Sequence, residues 1–100
     1  MTLTQQRKKQ LRAIGHSLKP CVMISDNGVT EGVIGELNRA LDDHELIKIK
    51  VAINDRESRA VVAKMVIDET GATLVQTIGK MLLILREHKK PNPKLSNLLR

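Results

Sequence analysis

The chain has 100 residues and no Phe, Tyr or Trp. This absence excludes the modules that bind nucleic acid by stacking bases on exposed aromatic rings. The core must be built from Leu, Ile, Val, Ala and Met. Because 41% of the residues are hydrophobic, the chain can form one globular domain with a core of moderate size.

Cysteine and long apolar runs are also scarce. Cys21 is the only cysteine, so no internal disulfide can form, and its place in the apolar run Cys21–Ile24 predicts a small buried side chain. The longest uninterrupted apolar run, Met81–Leu85, is far too short to span a bilayer, and no signal-peptide pattern precedes the first helix. We therefore expect a cytoplasmic protein without a membrane partner.

Motifs for catalysis and for metal binding are missing too. His16, His44, His88 and Cys21 lack the spacing of metal ligands, and no Gly-rich loop ends in Gly-Lys-Ser/Thr. Ser25 is not flanked by the glycines of a hydrolase nucleophile elbow. We expect no cofactor, no metal, no small-molecule substrate and no enzyme activity.

Basic charge is abundant and unevenly distributed. The net charge is +6 and the pI is about 9.8. Residues 1–20 contain no acid, and residues 86–100 contain only Glu87, whereas the middle of the chain is acidic on balance. A fold that joins the two ends would create one basic patch for a polyanion, although many basic proteins bind nothing specific.

Apolar spacing predicts three helices. The first covers residues 4–16 with Thr4 as its N-cap; the second runs from Thr30 to about Asp43; the third opens with a capping box of Asn54 and Glu57 and ends at Gly71.

Four strands are predicted between and after these helices, at residues 21–25, 46–52, 72–78 and 81–85. In the second strand Ile47, Ile49 and Val51 alternate with Lys48 and Lys50. This alternation places one sheet face at least partly in water, which favours two layers.

The resulting fold class is α/β, an α+β two-layer arrangement with the order α-β-α-β-α-β-β and a mixed four-stranded sheet. The domain covers residues 1–86. Residues 87–100, with two prolines, are expected to form a basic, mobile tail, although Leu95, Leu98 and Leu99 could dock locally or form a short helix on a partner.

The turn between the first strand and the second helix, residues 25–28, is the first candidate site. A polar turn before a helix N-terminus exposes backbone N–H groups that suit a phosphate. Asn27-Gly28 can supply the positive φ that such a turn requires.

Several motifs together resemble the YhbY-like bacterial proteins, single-domain relatives of the CRM (chloroplast RNA splicing and ribosome maturation) domain. The resemblance covers residues 3–86 and rests on Leu18-Lys19-Pro20, Asn27-Gly28-Val29-Thr30-Glu31-Gly32-Val33, His44-Glu45-Leu46-Ile47-Lys48-Ile49-Lys50, Glu69-Thr70-Gly71, Ile78-Gly79-Lys80 and Leu85-Arg86. It implies a fold like the C-terminal domain of translation initiation factor 3, RNA binding, and association with precursors of the large ribosomal subunit.

The same resemblance places a GxxG loop, which clamps nucleic-acid backbone in KH domains, at Ser25, Asp26, Asn27 and Gly28. Here Ser25 replaces the first glycine and Asp26 adds a negative charge. We therefore expect the flanking cations to contribute more to binding than the loop does.

The leading hypothesis is a monomeric, non-catalytic protein that binds ribosomal RNA during large-subunit (pre-50S) assembly. The predicted RNA-binding residues are Arg7, Lys8, Arg12, Lys19, Ser25, Asn27, Gly28, Lys48, Lys50, Lys80 and Arg86. One alternative is a protein–protein adaptor on assembly intermediates, which would use the open sheet face and the tail. Another is a duplex-DNA binder, although no helix-turn-helix pair is visible.

Overall fold

The order of elements agrees with the prediction. The structure is a computed structural model, and it describes residues 3–98. Within that range the chain forms three helices and four strands: α1 (Gln5–His16), β1 (Pro20–Ile24), α2 (Glu31–His44), β2 (Leu46–Val51), α3 (Arg56–Thr70), β3 (Thr73–Ile78) and β4 (Met81–Leu85).

Each helix begins at a side chain that accepts a hydrogen bond from an otherwise unpaired amide. Thr4 Oγ1 accepts from Arg7 N at 3.0 Å, and Thr30 Oγ1 accepts from Val33 N at 3.2 Å. The third helix departs from the prediction by one residue, because Asp55 rather than Asn54 is its N-cap. Asp55 prevails because its Oδ2 accepts from both the backbone N and the hydroxyl of Ser58.

The four strands form one mixed sheet in the order β1-β2-β4-β3. The strands β1 and β2 are parallel, whereas β4 is antiparallel to both of its neighbours. A two-residue turn joins β3 to β4, and its first residue, Gly79, has a φ of +54° while Lys80 does not have a positive φ. This is the pattern of a type II′ hairpin turn, which requires glycine at that position.

One side of the sheet, here called the α3 face, carries the larger core. Alternate residues of the strands, among them Ile24, Ile49 and Ile84, pack there against the apolar sides of α2 and α3. Ile47, Ile49 and Val51 are all buried on this face, as the alternation in β2 predicts.

The opposite side, here called the α1 face, is covered by α1 around Leu46 and Leu85 and is open around Met23 and Ile78. Leu11 of α1 is fully buried against Leu46, Val75, Leu83 and Leu85, with Ile14 and Leu18 beside it. The mixed α/β fold is confirmed, but the two-layer arrangement is incomplete, because α1 adds a third layer over the covered part. The sparse apolar side of α1 was sufficient for it to pack on the sheet.

Close contact between α1 and the sheet depends on Gly15, which is buried inside the helix. A Cβ at this position would lie 2.5 Å from Leu83 Cδ2. A side chain at this position would therefore require Leu83 to move.

The C-terminal segment was predicted to be mobile, but its described part docks on the domain. The buried Glu45 accepts hydrogen bonds from Ser96 Oγ at 2.6 Å and from His88 N at 2.7 Å. Asn97 Nδ2 donates to Leu46 O, and Leu98 packs against the cluster beneath α1. Local docking, the open alternative for the leucines, is what the structure shows for Leu98. Leu99 lies outside the described residues.

Over residues 3–98, none of the helices has the length and apolar character needed to cross a bilayer.

Candidate nucleic-acid interface

Three loops meet at the end of the sheet where β1 and β2 finish. This end is here called the loop edge, and it is distinct from the two edge strands, β1 and β3. Residues 25–28 follow β1, residues 52–55 follow β2, and the turn Gly79-Lys80 joins β3 to β4. Hydrogen bonds of 2.7 Å hold them together, from Ala52 N to Ile24 O and from Val51 N to Lys80 O. The carboxyl ends of parallel strands commonly carry binding sites in α/β proteins, so the loop edge is a candidate binding site.

The turn at residues 25–28 is a closed β-turn. Ser25 O accepts a hydrogen bond from Gly28 N at 2.9 Å, and Gly28 has a φ of +77° with open space around its Cα. The Gly28 amide is therefore used within the turn. Among the described residues, the amides of Asp26, Asn27 and Val29 donate to no protein acceptor, so they remain available to a phosphate.

Asp26 neither caps α2 nor pairs with a cation among the described residues. Thr30 caps the helix instead, and the Asp26 side chain is exposed in the turn. Its negative charge therefore stays next to the available amides and opposes phosphate binding there.

The uncovered part of the α1 face lies beside the loop edge. A row of neighbouring residues crosses all four strands there: Met23 pairs with Lys50, Lys50 with Met81, and Met81 with Ile78. Met23 and Ile78 are 60% and 62% exposed, which is high for such large apolar side chains. Lys50 is the single cation in this row, which we call the open row.

Basic residues of α1 border the covered part of the same face. Lys8 and Arg12 are four residues apart and therefore share one flank of the helix. Arg7 lies on the other flank of α1. It is on the same side as Ile14, because residues seven positions apart share one side of a helix. Arg12 is exposed, whereas Arg7 and Lys8 are partly buried.

Two further predicted residues lie away from the loop edge. Lys19 precedes β1, and Lys48 is paired in register with Pro20, so both are at the opposite end of β1 from the Ser25–Gly28 turn. They line a small cavity of about 180 Å³ together with Cys21. Cys21 was expected to be buried but is exposed, because Val22 and Ile24 take the inward positions of β1. Partial desolvation raises the pKa of its thiol.

Arg86 has a structural position instead of an open one. Its guanidinium donates four hydrogen bonds of 2.7–3.1 Å, to Asn38 Oδ1 and O, Asp42 Oδ1 and Thr70 O. It thus joins α2 to the C-terminal end of α3. These four bonds use both terminal nitrogens of the guanidinium, so we leave Arg86 out of the proposed interface.

Lys80 lies at the loop edge but extends toward the α3 face. Its Nζ donates to Asn54 Oδ1 at 2.8 Å, and it lines a groove on that side. The predicted residues thus divide into one set on or beside the α1 face and two that lie elsewhere. The first set is Arg7, Lys8, Arg12, Lys19, Ser25, Asn27, Gly28, Lys48 and Lys50.

Sequence reasoning missed the apolar part of this surface. Met23 was assigned to the first strand and Ile78 to the third, but their exposure in the open row was not predicted. The missing signal is strand order, because only pairing across the sheet brings these residues together.

For metal ions, the described residues contain no group of three His, Cys, Asp or Glu side chains that could act as ligands.

Comparison with known proteins places the chain among relatives of the same size. A Pseudomonas aeruginosa protein named as a probable RNA-binding protein is 50% identical over 100% of this chain and 96% of its own length. A Haemophilus influenzae protein named as an RNA-binding protein is 43% identical, covering 94% of this chain and 95% of that protein.

A solved structure has the same fold. The solution structure of the hypothetical protein SAV1595 from Staphylococcus aureus matches with a TM-score of 0.77 and 34% identity, covering 89% of this chain and 93% of that one. The family model for the CRS1 / YhbY (CRM) domain matches residues 3–86. The chain therefore belongs to the CRS1/YhbY (CRM) domain family.

Proposed function

We propose that this protein binds RNA, without catalysis, through the α1 face and the loop edge. The observation that carries the proposal is that Lys50 lies on the sheet face on which α1, with its basic residues, packs, and that its neighbour Met23 is two residues before the turn with available amides. The names of the relatives agree with RNA as the ligand.

The division of work within this surface follows from chemistry. Lys8, Arg12 and Lys50 would contact phosphates, and the amides of Asp26 and Asn27 would donate to a backbone oxygen. Met23 and Ile78 would pack against ribose or against the faces of bases, because the chain has no aromatic side chain that could stack on a base. Such contacts recognise single-stranded backbone and shape more than base sequence.

We further propose that the RNA is ribosomal and that binding accompanies assembly of the large subunit in the cytoplasm. The support is the resemblance to YhbY-like proteins in the motifs of residues 18–86. A tagged copy should sediment with large-subunit precursors in a sucrose gradient, and crosslinking in cells should map to ribosomal RNA. Crosslinks confined to messenger RNA or transfer RNA would contradict this part of the proposal.

The first prediction concerns salt. If about six phosphates are neutralised, the logarithm of the affinity for a single-stranded RNA falls with the logarithm of the salt concentration at a slope of about −4. Fluorescence anisotropy with a labelled 16-nucleotide RNA measures this slope. An affinity that does not change with salt would refute an interface built on cations.

The same assay locates the interface. Arg12→Glu with Lys50→Glu should weaken binding at least about tenfold and make the salt slope shallower by about one unit. The matched control is Arg56→Glu with Lys64→Glu, which changes the net charge equally on the opposite face and should leave most of the affinity. Equal losses for the two pairs would show that only net charge matters.

The open row supports a second candidate, a protein–protein adaptor, because exposed apolar side chains often mark protein contacts. The two candidates differ in their response to nuclease. Co-sedimentation with ribosomal precursors that survives RNA digestion would favour the adaptor. For the third alternative, a DNA strand of the same sequence should compete less well than RNA.

A further inference from the structure

A groove of about 760 Å³ lies on the α3 face, between α3 and the β3–β4 hairpin. Its floor is apolar and contains Val51, Ala63, Ile67, Leu74 and Leu82. The groove exists because β3 is the last strand of the sheet and α3 does not extend over it. Leu74 of β3 consequently remains 39% exposed on the α3 face.

The rim of the groove is basic. Four cations line it, Arg56, Arg59, Lys64 and Lys80, and none of its described lining residues is acidic. Arg59 Nη1 donates to Ile53 O and Asn54 O, and Lys80 Nζ donates to Asn54 Oδ1, so both side chains are already anchored. Arg56 and Lys64 are exposed, and Lys64 has only a 3.4 Å surface pair with Asp68, so these two are the cations with the most freedom to contact a ligand.

The edge of the sheet beside the groove lacks charges and proline, and its one irregularity is a register shift between Leu74 and Gln76. Among the described residues β3 pairs with β4 alone, and its sequence from Thr73 to Ile78 contains neither a charge nor a proline. The other edge strand, β1, begins with Pro20. Proteins commonly protect edge strands with charges or proline, and an edge without them is available for pairing with another strand.

The hairpin register shows which groups β3 presents. In a two-residue hairpin the closing pair, here Ile78 and Met81, exchanges the hydrogen bonds between the strands. The next residue, Thr77, therefore directs its N–H and C=O outward, away from β4. Thr77 also lines the groove, so an incoming strand would reach backbone and groove together.

We propose that this edge and groove bind an extended, acidic segment of a partner protein. The segment would add to β3 as a fifth strand and place alternate apolar side chains on the groove floor. Its Asp or Glu residues would lie against Arg56 and Lys64. Main-chain pairing supplies affinity in this mode of recognition, and the groove supplies specificity.

A nucleic-acid base fits the groove less well. No aromatic side chain is available for stacking, and Thr77 is the only neutral side chain among the lining residues that could hydrogen-bond to a base edge. The basic rim alone would attract phosphate, but an apolar floor beside an open strand edge matches a peptide.

A display library of random 12-residue peptides, selected on the purified full chain, tests the proposal. Selected peptides should be rich in Asp, Glu and β-branched residues and lack proline in their centres. In amide chemical-shift mapping, one such peptide should shift residues of β3 and α3 and slow hydrogen exchange at Thr77. Failure to enrich any peptide, or shifts elsewhere, would overturn the proposal.

Two variants sharpen the test. Thr77→Pro removes the outward N–H of β3. Arg56→Glu with Lys64→Glu reverses the charge of the groove rim and does not change the backbone of β3. Each variant should lower peptide affinity at least about tenfold. Arg12→Glu with Lys50→Glu, on the α1 face, is the control and should not. Circular dichroism and thermal unfolding check that each variant is folded.

Two other occupants of the groove, RNA and a second copy of this chain, would give results different from those of a partner peptide. If RNA displaces the peptide and the rim variants lose RNA binding as strongly as peptide binding, the groove belongs to the RNA site. If the chain dimerises with increasing concentration and Thr77→Pro abolishes the dimer, the occupant is a second copy. Either result would overturn the assignment to a partner protein.

Discussion

At the scale of single residues, charge at a helix start contributes to stability in a way that pH can reveal. Hydrogen bonds from Ser58 hold the pKa of Asp55 below its usual value of 3.8. A carboxylate at this position also interacts favourably with the positive end of α3. Folding therefore favours the ionised form of Asp55.

The prediction is a pH-dependent stability difference between the natural chain and Asp55→Asn. Because the folded-state pKa is depressed, the contribution of the charge is complete above the unfolded-state pKa and is lost as pH falls through the folded-state value. Asparagine still caps the helix, so the comparison isolates the charge. Urea unfolding at pH 7 and at successively lower pH should show the advantage of Asp55 disappearing; a constant difference would contradict it.

Residue type alone did not distinguish exposed cations from those held by hydrogen bonds within the fold. Arg12 and Arg86 were both predicted to contact RNA, yet Arg12 is exposed and Arg86 is fixed by partners from α2 and α3. Those partners, Asn38, Asp42 and Thr70, lie 16 to 48 positions away in sequence. No local pattern indicates such distant contacts, so only the folded chain separates the two arginines.

At the scale of secondary-structure elements, the glycines inside the helices have different structural surroundings. Gly15 allows α1 to contact Leu83, whereas a Cβ added at Gly35 in α2 would meet no neighbouring atom within 4 Å. The close approach of a helix to the sheet therefore occurs at Gly15 in α1 and not at Gly35 in α2.

This contrast predicts opposite effects of one substitution. Gly35→Ala should raise the free energy of unfolding by about 1 kcal/mol, because alanine is the better helix former. Gly15→Ala gains the same propensity but forces its methyl group into the buried Leu83, and overpacking of this kind costs about 1–3 kcal/mol. Denaturant unfolding of the two variants measures both signs. Equal stabilisation would show that α1 can shift without cost.

At the scale of the whole molecule, periodicity and turn chemistry predicted the order of elements and the mixed sheet. The two-layer expectation was incomplete because α1 has few apolar residues, and their burial depends on Leu46, Leu83 and Leu85 from two other strands. The open row and the groove escaped prediction for a similar reason. Both depend on β4 lying between β2 and β3, which the linear sequence does not state.

The docked segment gives a prediction at the same scale. A chain ending after Lys90 loses Ser96 and Leu98, leaves Glu45 without its hydroxyl partner and uncovers part of the cluster beneath α1. We expect its free energy of unfolding to fall by about 2–4 kcal/mol. Lys94→Ala, at an exposed position, is the control and should change stability little. Unchanged stability of the shortened chain would show that the docking contributes nothing.

The two clusters on either side of the sheet also differ in the span of sequence that builds them. The α3-face cluster uses residues from Val22 to Ile84, whereas the cluster beneath α1 includes both Leu3 and Leu98. During synthesis, the buried part of the second cluster can close only after Leu85 has left the ribosome, and Leu98 joins it last. The apolar side of α1 therefore stays uncovered until β2, β3 and β4 have all been translated.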